Sequence, residues 1–353
     1  MNLLSIDGGG IKGLYSATVL DYLEKRYNVT LVDHVDVISG TSIGGVIALA
    51  LAAGKRPSEM VRFFLEYGPK VFPPSRLKMV GRSCVSLIWP LYGNRTLVNA
   101  LKDFFGEKLR LGDISIAHEG SERQPCVCIP AVNLKTGRAK VFKTSHHESL
   151  FLDANYRVWE VALATSAAPY FFPIAKIRSS SEKETDSMEF FVDGGLWGNN
   201  PSMVAVTEAL TYSRNIKEPN PKGFSNLNLL SIGNISDPLG ASNAKWIWRG
   251  LLQWNKRLVL LPLKCQAETS ENMAKLLFSH NGGKYLRIAS YGNNLSTRQR
   301  SGIGMDKAGR KSLELLQQLA IDDISRITGD GQSDNNWLKF YFGLEDLRNG
   351  GLS

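Results

Sequence analysis

The chain has 353 residues, 43% hydrophobic and 21% charged, with a formal net charge of +9. This is the profile of a soluble globular protein with a sizeable core, long enough for one large or two ordinary domains. Cys84, Cys126, Cys128 and Cys265 are too few and too irregular for a disulfide framework, and Cys126-Val127-Cys128 lacks a second pair at zinc-site spacing.

The positive charge favours an anionic partner. No aromatic-glycine motif of an RNA-binding sheet and no zinc-finger spacing occurs, so nucleic acid is not expected. No secretory signal precedes the first apolar run, and a reduced, cytoplasmic protein is the expectation. Residues 37–54 are nearly uncharged, but their glycines and the polar Ser39, Thr41 and Ser42 fit strand, turn and buried helix better than a membrane span.

Residues 3–6 form a short apolar run stopped by Gly8, Gly9 and Gly10, as in a buried strand that ends in a tight turn. Leu14, Tyr15, Thr18, Val19, Tyr22 and Leu23 then recur at helical spacing. Residues 35–39 predict a second strand and 46–53 a second helix, which Gly54 ends. Strand-helix-strand-helix with short connections implies parallel strands in an α/β sheet. Residues 57–99 keep a helical pattern broken by Pro69, Pro73, Pro74 and Pro90, expected as helices and loops over the face that carries the turns. Residues 126–133 and 139–143 read as paired strands, and 158–166 as a helix left through Pro169. A polar loop is expected over 178–188, a strand at 190–192, a helix at 202–210 and a strand at 227–232. Beyond Gly240, Trp246, Trp248 and Trp254 stand among Lys245, Arg249, Lys256 and Arg257. That stretch fits either a lipid interface or an ordinary helix with its tryptophans in the core. An apolar run at 258–263 and a helix at 308–319 follow. The boundary falls near 240, with a catalytic domain over 1–240 and an extension over 241–353 packing on it.

Three turns carry the chemistry. Gly40-Thr41-Ser42-Ile43-Gly44 is a G-x-S-x-G elbow between a strand and a helix, which presents Ser42 as a nucleophile or is a plain structural turn. Gly8, Gly9 and Gly10 can aim successive backbone N–H groups at one point, an oxyanion hole worth about 3 kcal/mol per donor. Lys12 adds positive charge nearby. The bland alternative is a tight turn in which Asp7 bonds its own backbone. Asp193, followed by Gly194 and Gly195, ends another apolar run and offers a general base exposed at the sheet edge, or merely a turn aspartate. A nucleotide-phosphate reading lacks the Gly-Lys-Ser/Thr and the acidic residue after the second strand that it requires.

Histidine is nearly absent from this scheme. His34, His118, His146 and His147 fall outside the motifs, and His280 alone follows Asp193. A triad of Ser42, Asp193 and His280 is one reading. A helix-terminal role for His280 is the other, and it leaves a Ser–Asp dyad.

Asp7 to Gly13, Gly40 to Gly44 and Asp193 to Gly195 resemble, in order, the Asp-Gly-Gly-Gly-x-[Arg/Lys]-Gly, G-x-S-x-G and Asp-Gly-[Gly/Ala] motifs of patatin-like phospholipases. Ala164-Thr165-Ser166-Ala167-Ala168-Pro169 and Asn199-Asn200-Pro201 are also similar to that family. The resemblance spans about residues 3 to 210. It implies a three-layer α/β/α core with a mostly parallel sheet, a Ser42–Asp193 dyad, an acyl-enzyme, an oxyanion hole from the glycine turn, and no metal or cofactor. Ser231-Ile232-Gly233-Asn234 departs from the family's Ser-Leu-Gly-Thr-Gly and is expected to lie away from the chemistry. Some bacterial members act in antiviral defence, switched on by cyclic oligonucleotides, which makes such an activator an implied partner.

The expected function is hydrolysis of fatty-acyl esters of membrane phospholipids by a protein that associates peripherally with the membrane. The rivals are a soluble esterase or triglyceride lipase using the His280 triad, and a non-catalytic membrane- or nucleotide-binding module.

Overall fold

Every apolar run expected as a strand is one in the computed structural model, which describes residues 1–73, 89–116, 125–147, 150–179, 187–215, 223–236, 254, 256–292 and 295–344. The strands are β1 (Asn2–Ile6), β2 (Val37–Gly40), β3 (Cys126–Asn133), β4 (Arg138–Lys143), β5 (Ala175–Arg178), β6 (Met188–Asp193), β7 (Asn228–Ile235) and β8 (Lys284–Ser290). They form one sheet ordered β5-β6-β3-β2-β1-β7-β8, with β4 also paired to β3. β1 with β2 and β7, β2 with β3, and β7 with β8 run parallel. The pairings of β3 with β4 and β6, and of β5 with β6, are antiparallel.

The helices are α1 (Gly13–Tyr27), α2 (Ile43–Ala52), α3 (Pro57–Val71), α4 (Arg95–Phe105), α5 (Val158–Ser166), α6 (Gly195–Gly198), α7 (Ser202–Asn215), α8 (Arg257–Asn281), α9 (Thr297–Gly302), α10 (Arg310–Ile327) and α11 (Ser333–Tyr341). Side chains alternate across a strand, and here the alternation sorts two apolar layers. Leu4, Ile38, Val127, Leu230 and Leu286 share the larger cluster with α1, α2 and α5. Leu3, Val37, Cys126 and Leu229, one residue out of phase, pack with Ala205 and Val206 of α7 and Ala274 and Phe278 of α8. The result is a three-layer α/β/α fold with a mostly parallel sheet, as expected.

β3 is where the sheet divides. One of its edges pairs with β4 along residues 128–133. The other takes β2 up to the Ser39–Cys128 pair and then β6 from Ala131 opposite Asp193. Because β2 is parallel and β6 antiparallel to β3, their C-terminal ends meet head to head on that edge. The gap from Cys128 to Ala131 is about 10 Å at strand rise. Ser42 lies just past one end and Asp193 at the other.

Three expectations are corrected. Pro69 does not break its helix: it sits in the last turn of α3, where little remains to be disrupted. The polar loop expected from 178 is preceded by β5 and ends at β6, which starts at Met188. β8, unforeseen, adds a strand from beyond residue 240 to the sheet. Trp246, Trp248 and Arg249 of the tryptophan-rich stretch, and His118, lie outside the described residues.

Candidate active site

Ser42 has φ 54° and ψ −126°, a region that a side chain enters at a cost of about 1–3 kcal/mol. The elbow glycines explain how the turn is reached. A Cβ on Gly44 would stand 2.3 Å from the Ile6 carbonyl oxygen, and one on Gly40 would stand 2.1 Å from that of Gly44, so the turn closes only without side chains there. Thr165 holds it from behind: the Ser42 N–H donates to Thr165 Oγ1 at 2.9 Å, and that hydroxyl donates to the Pro130 carbonyl at 2.6 Å. Thr41 Oγ1 donates to the Gly198 carbonyl at 2.5 Å.

Asp193 stands close enough to the Ser42 hydroxyl for that group to lower its pKa, so the expected nucleophile and base face each other. Its Oδ1 also accepts the Gly195 N–H at 2.7 Å, and its own N–H donates to the Ala167 carbonyl at 3.0 Å. Gly194 joins these residues, packed where a Cβ would meet the Pro130 carbonyl at 2.2 Å. The carboxyl is buried, not exposed at the sheet edge as expected, because α5 and the head-to-head strand ends enclose it. Burial pushes its pKa up to about 6, against the lowering effect of the Ser42 hydroxyl and the Gly195 N–H.

The glycine turn leads from β1 into α1 through a short 3-10 turn, Gly10–Lys12, and Gly13 opens the helix. Of the three expected donors, Gly8 drops out: its N–H is given to the Asn199 carbonyl at 2.9 Å. What Gly8 contributes is closeness, since a Cβ there would lie 3.2 Å from the Ser42 Cβ and 2.4 Å from Asn199 Oδ1. Among the described residues nothing accepts the N–H of Gly9 or Gly10. Those two donors sit at a helix N-terminus, where an anion is favoured.

Asp7 does not bond its own backbone. It pairs with Arg287 of β8, with Nη2 at 2.6 Å from Oδ2 and Nη1 at 3.3 Å from Oδ1. Arg287 Nε lies 2.9 Å from Glu271 Oε2, close enough for ion pairing but outside hydrogen-bond alignment. Burial raises the Asp7 pKa and Arg287 opposes that rise, while the carboxylates hold Arg287 firmly protonated. Lys12 is buried with its ammonium on the Ile235 carbonyl at 2.9 Å, lining a second pocket of about 660 Å³, open solvent included, rather than the cleft in front of Ser42. Asn234 corrects another expectation. Parallel pairing brings the end of β7 beside the turn, where Asn234 Nδ2 donates to the Gly8 carbonyl at 2.7 Å. The Met305 carbonyl accepts the Ile11 N–H at 2.8 Å and fills the space beside Gly10, whose φ is +58°.

In front of Ser42 opens a cleft of about 620 Å³, open solvent included. Phe63, Phe64, Val71, Phe72, Phe171 and Phe172 are among its walls, and Gly10 and Ser42 stand at its polar end. Its lining suits an apolar chain.

The family model for patatin-like phospholipases matches residues 4–206, which include all three turns. The chain belongs to the patatin-like phospholipase family. This patatin-like phospholipase is 33% identical to a cGAMP-activated phospholipase of Pseudomonas aeruginosa (strain BWHPSA011 / Pa011), over 79% of this chain and 76% of that one. It is 30% identical to a cGAMP-activated phospholipase of Escherichia coli (strain TW11681), over 90% and 86%. A patatin-like protein 1 of Oryza sativa subsp. indica is also 30% identical, over 82% and 73%. Among solved structures, human GIVD cytosolic phospholipase A2 aligns with TM-score 0.44 at 13% identity, over 98% of this chain and 60% of that one. The patatin-like phospholipase is a lipid acyl hydrolase.

His280 is not part of the site. It is exposed at the end of α8, with Nδ1 2.9 Å from the Leu276 carbonyl oxygen, so the triad has no third member there. Among the described residues of this patatin-like phospholipase, no helix is long and apolar enough to cross a membrane.

Proposed function

We propose that the enzyme hydrolyses fatty-acyl esters of membrane phospholipids, in the manner of a phospholipase A, through Ser42 and Asp193. One observation carries the reading: a strained serine stands beside a buried carboxylate with its pKa raised to about 6, at the head of an apolar cleft. At neutral pH that carboxylate is ionised and basic enough to act. Asp193 takes the Ser42 proton as Oγ attacks the ester carbonyl. The N–H groups of Gly9 and Gly10 receive the oxyanion, and Asp193 returns the proton to the departing alcohol. Water, deprotonated by Asp193 in turn, then attacks the acyl-enzyme, the Ser42–acyl bond breaks as Asp193 returns that proton to Ser42 Oγ, and the fatty acid leaves.

The proposed setting is the cytoplasm, with peripheral membrane association during catalysis. Supporting it, Trp89 (67% exposed) and Ile174 (51%) flank segments that pair through the Leu91 N–H on the Tyr170 carbonyl and the Tyr92 N–H on that of Phe171, a cleft wall. The names of the bacterial relatives support a cyclic oligonucleotide as activator, and the proposed role in antiviral defence follows from the family resemblance. Residues 1–240 carry the motifs of the catalytic site, and 241–353 complete it by adding β8 to the sheet and Arg287 and Met305 to the glycine turn.

The test is fatty-acid release from mixed phospholipid liposomes, with and without a panel of cyclic oligonucleotides that includes cGAMP. Ser42→Ala and Asp193→Asn are expected to lower release by at least about 1,000-fold, and His280→Ala to leave it unchanged. Release that survives Ser42→Ala overturns the mechanism. Liposome binding without release by the wild type, under every activator, favours the binding-module reading instead.

A further inference from the structure

Ser166 closes α5 between two residues that hold the site together. Thr165 receives the Ser42 N–H on its hydroxyl, and Ala167 receives the Asp193 N–H on its carbonyl. Ser166 is among the residues that line the cleft with Ser42. Its residue is only 7% exposed, and among the described residues its Oγ has no hydrogen-bond partner. A buried hydroxyl left unsatisfied destabilises a fold. Nothing in the packing calls for it either, since Ala162, Ala164, Ala167 and Ala168 around it are all buried alanines. In this rotamer Oγ is closed off from the cleft, so it meets a substrate group only after a turn of χ1 between staggered positions.

The cleft identifies that group. Among the described residues, its lining carries one polar side chain besides Ser42 and Ser166, Tyr67, whose hydroxyl already faces Asp103 at 3.4 Å. An acyl chain brings a single polar group into such a space, its ester. The carbonyl oxygen of that ester belongs with Gly9 and Gly10. The bridging oxygen must lie on the Asp193 side, because Asp193 protonates it as it departs, and Ser166 is on the segment bonded to Asp193. We propose that Ser166 is a further catalytic residue, whose hydroxyl donates a hydrogen bond to the leaving-group oxygen of the scissile ester. The C–O bond breaks, the alkoxide takes the proton from Asp193, and no covalent bond of Ser166 changes. The proposal rests on the Ser42–Asp193 reading.

A phospholipid and its analogue with a thioester in place of the scissile ester separate this role from others, because a bridging sulfur is a poor acceptor. The assay compares kcat/KM, which reports steps up to acylation, for wild type, Ser166→Ala and Ser42→Ala in full-length protein. Ser166→Ala is expected to lose about tenfold on the oxyester and almost nothing on the thioester. Its melting temperature should equal or exceed that of the wild type, as a role in packing would not predict. Equal losses on both lipids, or no loss on the oxyester, overturn the assignment. Hydrolysis that persists in Ser42→Ala overturns the dyad and Ser166 with it, and that outcome is visible in its own arm.

Discussion

Asp193 is asked to be buried and basic at once, and the two demands have opposite signatures in pH. Its pKa moves from 3.8 to about 6 mainly through desolvation. Below about pH 6 the carboxyl is protonated and Ser42 loses its base, so kcat/KM is expected to fall tenfold per pH unit on the acid side. Stability runs the other way. Between about pH 4 and 6 the folded state holds a proton that the unfolded state has released, so the contribution of this group is full below pH 4 and lost as pH rises through 6. A shift of about 2 units corresponds to about 3 kcal/mol. Asp193→Asn removes the buried charge and keeps an acceptor for Gly195. It should therefore be inactive yet more stable than wild type at pH 7.5, by up to about 3 kcal/mol, with the gap closing near pH 4. Denaturant unfolding at the two pH values checks this, and a gap independent of pH would count against desolvation. Ser42 and Asp193 were legible because glycines at fixed offsets announce a forced turn. The oxyanion donors were legible only as a group, since which N–H is spare depends on Asn199, far off in sequence.

At the scale of elements, what holds the glycine turn comes from strands that parallel pairing sets beside β1. Asn234 on β7 and Arg287 on β8 reach it because β1, β7 and β8 are neighbours in that order. Sequence reasoning missed Arg287, which sits in no motif, and placed Asn234 away from the chemistry, because strand order is not written locally. β8 itself alternates buried and less buried residues from Leu286 to Ser290, but the placement of Arg287 among them masks a strand as a polar segment. The Asp7–Arg287 pair is buried on both sides, so removing one partner strands the other. Arg287→Met is expected to cost about 3–5 kcal/mol. Glu271 keeps Lys275 and Tyr291, so the uncompensated group is Asp7. Adding Asp7→Asn should then recover part of the loss, giving a favourable coupling in a double-mutant cycle measured by denaturant unfolding. Additive losses would mean that the pair is not the support it looks to be.

Over the whole molecule, the notion of a separable C-terminal extension meets a geometric objection. β8 is paired along β7, α10 packs on α1, and Tyr15 of α1 donates to Asp323 of α10 at 3.0 Å. Arg287 and Met305 both buttress the turn that is to receive the oxyanion. Leu313, Leu316, Ala320 and Ile324 belong to the same apolar cluster as Leu14 and Leu20. A fragment ending at residue 240 would expose the edge of β7 and that side of α1, and leave Asp7 buried without its cation. Such an edge templates association between chains. The fragment is expected to aggregate or to show no cooperative unfolding, and to have no lipase activity even with the complete set of motifs at Asp7–Gly13, Gly40–Gly44 and Asp193–Gly195. Circular dichroism melts and liposome assays on the fragment check this. A soluble fragment with a sharp melt would make 241–353 a true appendage. The expected outcome instead makes it the rear wall of the active site, with the sheet continuous from one to the other.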